Sequence, residues 1–320
     1  DQVITGHELM KSPDLIHSSD ILRYRVFARV SPRQKLDLVQ TARNAGHFVA
    51  VTGDGVNDAP AMRVANIGVA MGKAGTDVAR EASSLVISDD NFATIVSGIE
   101  EGRVAYENIR KVIYLSISTG AAEVLLMALA ILTGIPYLPL LPVQLLWLNL
   151  VTNGIQDVAL AFEANEGDVL ERKPRSPDQP IFDRIMIERT IIAALTMGLI
   201  SYFLFVWLLP KNPTQQEVAS TRNSLLLLLV LFQNIHIGNC RSETKSAFLL
   251  SPLRSPILLA GTLLAFTVHV AAMHLPIGQA VLETSPVSPQ RWALVLFLAL
   301  LILPLSELHK WVMATTSNRQ

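Results

Sequence analysis

The chain has 320 residues, half of them apolar and 17% charged, with a formal net charge of −1. This balance, with no long Lys/Arg cluster, gives no sign of a nucleic-acid surface, and no nucleic-acid partner is expected. The single cysteine, Cys240, excludes an internal disulfide and a cysteine-based zinc site. Asp1 is preceded by no basic-then-apolar leader, so the N-terminus reads as a cut through a longer protein.

Residues 1–108 mix charged and apolar positions as a soluble domain does. An apolar run at 26–30 predicts a strand, and Ser31-Pro32 then fits an N-cap followed by a first-turn proline. Helical spacing continues through Leu36, Leu38 and Val39 towards Gly46. A second strand over 47–51 ends at the turn Gly53-Asp54-Gly55. A helix over 56–65, a strand over 67–71, a short helix over 76–82 and a strand over 85–87 follow. Strands separated by helices predict a partial α/β domain with a doubly wound parallel sheet. Ligands in such sheets sit beyond the carboxyl ends of the strands, where Asp54 falls.

From Asn91 the pattern becomes one long stalk helix that runs into a membrane domain over 109–320. Six apolar stretches, 109–133, 142–162, 186–209, 221–240, 257–276 and 292–311, each have roughly the 20 residues that a bilayer core requires. Arg172, Lys173, Arg175, Arg184 and Arg189 lie between the second and third stretches. Arg241, Lys245 and Arg254 lie between the fourth and fifth, and Lys310 and Arg319 close the sixth. The positive-inside rule then places these loops, both ends of the chain and the soluble domain in the cytoplasm.

The most informative string is Thr52-Gly53-Asp54-Gly55-Val56-Asn57-Asp58-Ala59-Pro60. Glycines on both sides of Asp54 permit a tight turn, and the next helix offers its first amides to an anion. Asp54 and Asp58 repel a phosphate on their own, a conflict that a magnesium ion between carboxylate and phosphate resolves. Lys35, six residues after Arg29, offers a cation to a transferring phosphoryl group. An ordinary Asp-Gly turn is the competing reading, but it does not account for the full string.

This string, with Phe27-Ala28-Arg29-Val30-Ser31-Pro32-Arg33-Gln34-Lys35 before it and Asp89-Asp90-Asn91-Phe92 after it, resembles the type II P-type ATPases, which include calcium and sodium pumps. The run Pro142-Val143-Gln144-Leu145-Leu146-Trp147-Leu148-Asn149-Leu150-Val151-Thr152 is similar to a span of the same group, and the resemblance covers essentially the whole chain. It implies a haloacid-dehalogenase-like phosphorylation domain in which Asp54 binds magnesium and Lys35 contacts the phosphoryl group. It further implies that Arg29 and Asn57 help hold the phosphates of ATP and that Asp58 shapes the hinge. The family's Asp-Lys-Thr-Gly-Thr phosphorylation motif, its actuator motif, its nucleotide-binding domain and its first four spans do not occur in the chain. The isolated chain is therefore expected to be inactive as an ATPase, with the N-terminal pump domains as partners.

Polar residues in the apolar stretches point to a transported cation. Glu123 falls near mid-span, where an ionised group costs on the order of 3 kcal/mol or more. Asn149, Thr152, Asn153, Gln156 and Asp157 fall at helical spacing and form one stripe, with Gly154 inside it able to loosen the helix and free carbonyls. Gln233 is again near mid-span. Interhelical hydrogen bonding alone is the bland reading of such residues. Under the resemblance, Glu123, Asn149 and Thr152 match calcium-binding positions. Gly120, Asn153 and Gln233 depart from that pattern, and Asp157 is an added carboxylate. The expected site is one cation held by Glu123 and Asp157, with Asn149, Thr152, Asn153 and Gln233 as neutral ligands. Calcium, manganese, sodium and potassium stay open, as does a proton-coupled cycle.

Three weaker features complete the reading. His236, His269 and His274 lack ligand spacing and are expected to pack or hydrogen-bond. The loop over 163–184 is a solvated connection in its ordinary reading and a coupling element in its functional one. Trp292 and Trp311 read as interface anchors. A pump segment in the plasma membrane, a non-catalytic membrane subunit and a membrane-anchored phosphatase compete. The last needs a nucleophilic aspartate that Asp1, Asp14 and Asp20 do not supply in a strand-loop setting.

Overall fold

The computed structural model describes residues 3–176 and 179–317, so Asp1 and Arg319 lie outside the described residues. The chain divides into two compact units, Asp1–Glu101 and Gly102–Gln320.

In the first unit the strands are β1 (Val3–Thr5), β2 (Val26–Ala28), β3 (Ala50–Gly53), β4 (Ile67–Met71) and β5 (Leu85–Ile87). Between them lie α1 (Gly6–Lys11), α2 (Pro13–Ile16), α3 (Pro32–Asn44), α4 (Ala59–Val64) and α5 (Asp77–Ala82). All pairings are parallel, as expected, but the described strands form two sheets rather than one. β1 pairs with β2, and β3-β4-β5 form a separate sheet. Strand pairing is a long-range choice, so alternation along the chain does not reveal which strands join.

Local chemistry explains the boundaries. Ser31 and Gln34 make a reciprocal capping box and Pro32 supplies the fixed first turn, so α3 starts where the sequence predicts. Gly46, with φ +86°, sits just past the end of α3 in the left-handed region that favours glycine. α4 starts at Ala59, not at Val56, because residues 56–58 form a turn. Val39, Val51, Ala61, Met62, Ala70 and Ala79 bury one core against the larger sheet, while Ile4, Leu9, Ile16 and Ile21 form another beside the smaller one.

The second unit is helical. Its elements are α6 (Ala93–Leu132, which begins in the first unit), α7 (Pro142–Leu146), a π-helix (Trp147–Asn153), α8 (Gly154–Ala161), α9 (Arg184–Leu208) and α10 (Gln215–Cys240). After these come α11 (Pro256–His274), α12 (Pro276–Leu282), α13 (Pro289–Leu300) and α14 (Ile302–Ser317). Among the described residues five helices are long and apolar enough to cross a membrane, the last of them running over Pro289–Met313. The expected second span differs. Its backbone is helical from residue 142 to residue 161, but α-helical hydrogen bonding gives way to the wider π pattern in the middle. The last of the five, Pro289–Met313, is interrupted at Leu301, three residues before Pro304, whose missing N–H cannot complete the ladder.

α10 is the centre of the bundle. Its apolar window has the lowest mean hydropathy of the five, 1.3, yet is the most buried, at 72%. Polar side chains in a bilayer face the protein interior, so the least apolar helix belongs inside. Its run Leu225–Val230 is buried and packs against Leu204, Phe205, Val295 and Ala299.

Candidate functional site

In the first unit, Lys35 of α3 and Asp58 at the N-cap of α4 are brought together. Lys35 Nζ donates to Asp58 Oδ1 at 2.6 Å, with both side chains partly exposed. Gly53 makes this possible, because a Cβ there would stand 2.4 Å from Asp58 Cβ. The pairing leaves the cap of α4 without a side-chain bond, and at six residues this helix is short.

Asp54 follows β3 and is exposed. Its backbone carbonyl accepts from Thr76 N at 2.8 Å, which ties the turn to the start of α5. Among the described residues its carboxylate has no ion-pair or hydrogen-bond partner, and no group of three or more His, Cys, Asp or Glu could enclose a metal. A lone free carboxylate fits magnesium, which binds through one or two carboxylates and keeps several waters. Arg29 is exposed with φ 54°, its carbonyl packed where a Cβ on Gly6 would stand 2.3 Å away. Arg29 and Asn57 make no hydrogen bond to Lys35, Asp54 or Asp58 among the described residues.

The Asp89-Asp90 pair has a role the sequence reading missed. Asp90 accepts from Lys73 N at 2.9 Å and Ala74 N at 2.7 Å, clamping the loop after β4. The Lys73 hydrogen bond, with help from Ala74, holds its carboxyl below the usual carboxylate range. Asp89 accepts from Asn91 N and from the Thr94 hydroxyl at the entry to α6.

In the second unit the polar stripe over 149–157 divides between two neighbours. Asn149, Asn153 and Asp157 face α6, in antiparallel register. Asn149 Nδ2 donates to Glu123 Oε2 at 2.7 Å, Asn153 Nδ2 to Thr119 Oγ1 at 2.9 Å, and Ser116 Oγ to Asp157 Oδ2 at 3.0 Å. Thr152 and Gln156 face α10. Thr152 Oγ1 reaches Gln233 Oε1 at 2.5 Å and Gln156 Nε2 reaches Asn234 Oδ1 at 3.1 Å. The result is a polar seam between three helices.

The π-helix lies within this seam. Asn149 Nδ2 also donates to the carbonyl of Leu145 at 3.0 Å, and the single hydroxyl proton of Thr152 is shared between Gln233 Oε1 and the carbonyl of Leu148 at 2.7 Å, each carbonyl four residues back. Such back-bonding competes with the α ladder and bends helices, and π turns recur at functional sites. The loosened stretch therefore precedes Gly154, which itself has ordinary helical geometry, φ −57° and ψ −41°. Four seam acceptors, Glu123 Oε1, Asn153 Oδ1, Gln156 Oε1 and Asp157 Oδ1, are buried without a partner among the described residues. Buried polar atoms are ordinarily bonded, so these acceptors are places for an ordered water or an ion.

The two carboxylates sit on different rungs of the seam. Ser116, the partner of Asp157, lies seven residues from Glu123 on α6, roughly 10 Å along a helix. The histidines behave as expected where bonds are seen: His236 meets Ser118 Oγ at 3.0 Å, and His269 Nδ1 accepts from Trp147 Nε1 at 3.2 Å.

The loop after α8 is tied down over its first part, residues 163–169, while most described residues from 170 to 182 are exposed. Glu163 pairs with Arg241 at 2.8 Å, and both side chains are buried. Glu166 pairs with Lys111 and Lys245, each at 3.5 Å. Arg172 bridges Glu107 and Asp168, and Arg103 donates to the carbonyls of Val169 and Arg172. Burial raises the Asp168 carboxyl, but the hydrogen bond and charge of Arg172 and the charge of Lys245 outweigh it and hold it below the usual range.

The family model for the C-terminus of cation-transporting ATPases matches residues 137–312. A calcium-transporting ATPase of Bacillus subtilis is 44% identical over 271 residues, covering 85% of this chain and 30% of the relative. The cation-transporting ATPase pma1 of Synechocystis is 36% identical over 290 residues, 88% of this chain and 32% of the relative. Calcium-transporting ATPase 1 of Bacillus cereus is 32% identical over 322 residues, with coverages of 97% and 36%. The chain thus spans about a third of the length of the curated relatives it matches.

Proposed function

The chain belongs to the P-type cation-transporting ATPases, and from that premise we propose that it is the part of an ATP-driven pump that carries the cation route and the magnesium end of the phosphorylation site. The polar seam is the observation that carries this reading. It joins Glu123, Asn149, Thr152, Asn153, Asp157 and Gln233 into one buried band of oxygens across helices otherwise apolar. Hard cations are held by such carboxylate, amide and hydroxyl oxygens. In this reading residue 142–161 is the sixth span, and the soluble unit and both ends face the cytoplasm of a plasma-membrane protein.

The soluble unit serves a haloacid-dehalogenase-like phosphorylation domain. Asp54, free at the carboxyl end of β3, would hold magnesium, which supplies charge neutralisation for phosphoryl transfer from ATP to an aspartate outside this chain. Lys35, held by Asp58, would offer its ammonium to the transferring phosphoryl group, and Arg29 and Asn57 would contribute to nucleotide phosphates. Assembled into a complete pump, the chain is expected to support a magnesium-dependent, acid-stable acyl phosphate. Asp54→Asn is expected to lower that phosphoenzyme at least tenfold while leaving the yield of folded protein unchanged. A parallel loss of folded protein, with normal phosphorylation of what survives, would give Asp54 a structural role instead.

A further inference from the structure

Asp54 stands between Gly53 and Gly55, so the backbone of its turn is permissive and needs a tether to hold one position. The Thr76 amide supplies one by donating to the carbonyl of Asp54 at 2.8 Å. Thr76 closes the loop over 72–76, which leaves β4 and leads into α5. At its other end Gly72 N donates to the carbonyl of Ile87, the last residue of β5, at 2.8 Å. The loop therefore straps the carboxyl ends of three parallel strands, the end at which such sheets hold ligands. It also doubles back tightly, because a Cβ on Gly75 would collide with the Met71 carbonyl.

Between those two ends the loop is gripped by Asp90. Its Oδ1 accepts from Lys73 N at 2.9 Å and its Oδ2 from Ala74 N at 2.7 Å, one oxygen for each amide. Asp90 is half-buried and has φ 56°, a left-handed conformation that aspartate and asparagine tolerate better than most side chains. A carboxylate offers an acceptor to both amides, whereas an asparagine of the same shape would turn its NH2 against one of them. The neighbouring Asp89 has other partners. It accepts from Asn91 N at 3.1 Å and from the Thr94 hydroxyl at 2.8 Å, so its bonds lie at the entry to α6 and not in the loop.

We infer that Asp90 is a positioning residue for phosphoryl transfer: it clamps the loop over 72–76, and through the Thr76 amide that loop holds the Asp54 turn in place for magnesium. The inference rests on the reading that Asp54 holds that ion. Asp90 is no ligand in this arrangement and acts through peptide groups alone. Partners that stand behind a metal-ligating carboxylate fix its orientation, and losing one lowers metal affinity or activity about 10–100-fold. Asp90 works on the backbone of the ligand and not on its carboxylate, so the lower end of that range applies.

The test compares Asp90→Gly, Asp90→Asn, Asp89→Asn and Asp54→Asn with the wild type in the complete pump. Glycine keeps the left-handed backbone and removes the clamp, and asparagine keeps one of the two bonds. Two quantities are read: amide hydrogen exchange over 72–76, and the free magnesium that gives half-maximal phosphoenzyme per folded molecule. In Asp90→Gly, exchange at Thr76, which Asp90 does not touch, is expected to quicken about tenfold together with Lys73 and Ala74. Half-saturating magnesium should rise about tenfold, with Asp90→Asn between that variant and the wild type. Asp89→Asn should leave both quantities within about twofold of the wild type, since it shares no partner with the loop. Thermal unfolding identifies a variant that fails to fold, and if Asp90→Gly is one, Asp90→Asn carries the test. An unchanged magnesium requirement, or exchange that quickens at Lys73 and Ala74 but not at Thr76, would overturn the inference. Equal effects of Asp89→Asn and Asp90→Gly on both quantities would overturn it too, as general loosening of the soluble unit. A wild-type magnesium requirement in Asp54→Asn would instead overturn the magnesium reading beneath it.

Discussion

Asn149 donates the same amide to Glu123 Oε2 at 2.7 Å and to the carbonyl of Leu145 at 3.0 Å, so one side chain both steadies the carboxylate and marks the π turn. Both partners are acceptors, which fixes the amide with its nitrogen towards Glu123. Asn149→Leu removes the only donor to a buried carboxylate among the described residues. A lost hydrogen bond to a charged group is worth about 1.5–3 kcal/mol. Cation affinity of the complete pump is expected to fall roughly 10–100-fold, and cation titration of phosphoenzyme formation checks it.

Gly53 is predicted to be intolerant of any side chain. A Cβ there would lie 2.4 Å from Asp58 Cβ and 2.8 Å from Asp58 Oδ2, so Asp58 must move off Lys35. Gly53→Ala is expected to cost about 1–3 kcal/mol, as overpacking does, and to lower phosphoenzyme at least tenfold. Thermal unfolding and acyl-phosphate assays on the same preparation separate the two effects.

The Asp90 clamp gives the soluble unit an acid-sensitive contribution to stability. Its folded carboxyl titrates below the unfolded value of about 3.9. The contribution is therefore complete above that value and is lost as pH falls through the folded pKa. Asp90→Asn should lower stability at neutral pH and reduce the loss of stability as pH falls below about 4. Unfolding midpoints of the two proteins across that range decide it; identical pH profiles would contradict the clamp.

The Glu163–Arg241 pair is buried on both sides, and Arg241 Nη1 also donates to the carbonyls of Leu250 and Ser251. Removing one partner of a buried pair costs about 3–5 kcal/mol. Glu163→Gln and Arg241→Met are each expected to destabilise by that order, and the double variant by less than the sum. A double-mutant cycle on thermal unfolding measures the coupling.

What could be read from the chain alone depended on how local the signal was. The Ser31-Pro32 start of α3 and the turn at Asp54 follow from nearest neighbours, and both are found. The split between β1-β2 and β3-β4-β5 follows from long-range pairing, which alternation does not encode. The stripe from Asn149 to Asp157 was legible as spacing, but its division between α6 and α10 was not, because that needs the neighbours' positions. The same is true of Glu163 and Glu166, charges in a proline-rich loop whose buried partners Arg241 and Lys111 are far away in sequence. The back-bonding residues Asn149 and Thr152 were a readable signal for the π turn, which Gly154 obscured.

The central claim is that the seam at Glu123 carries the transported cation. ATP-driven uptake of sodium, potassium, calcium or manganese by vesicles reconstituted with the complete pump tests it most directly, wild type against Glu123→Gln. The account predicts that uptake of the pumped cation falls at least tenfold in the variant, while the amount of folded pump and its ability to bind ATP stay unchanged. Uptake by Glu123→Gln at the wild-type rate and cation affinity would contradict it.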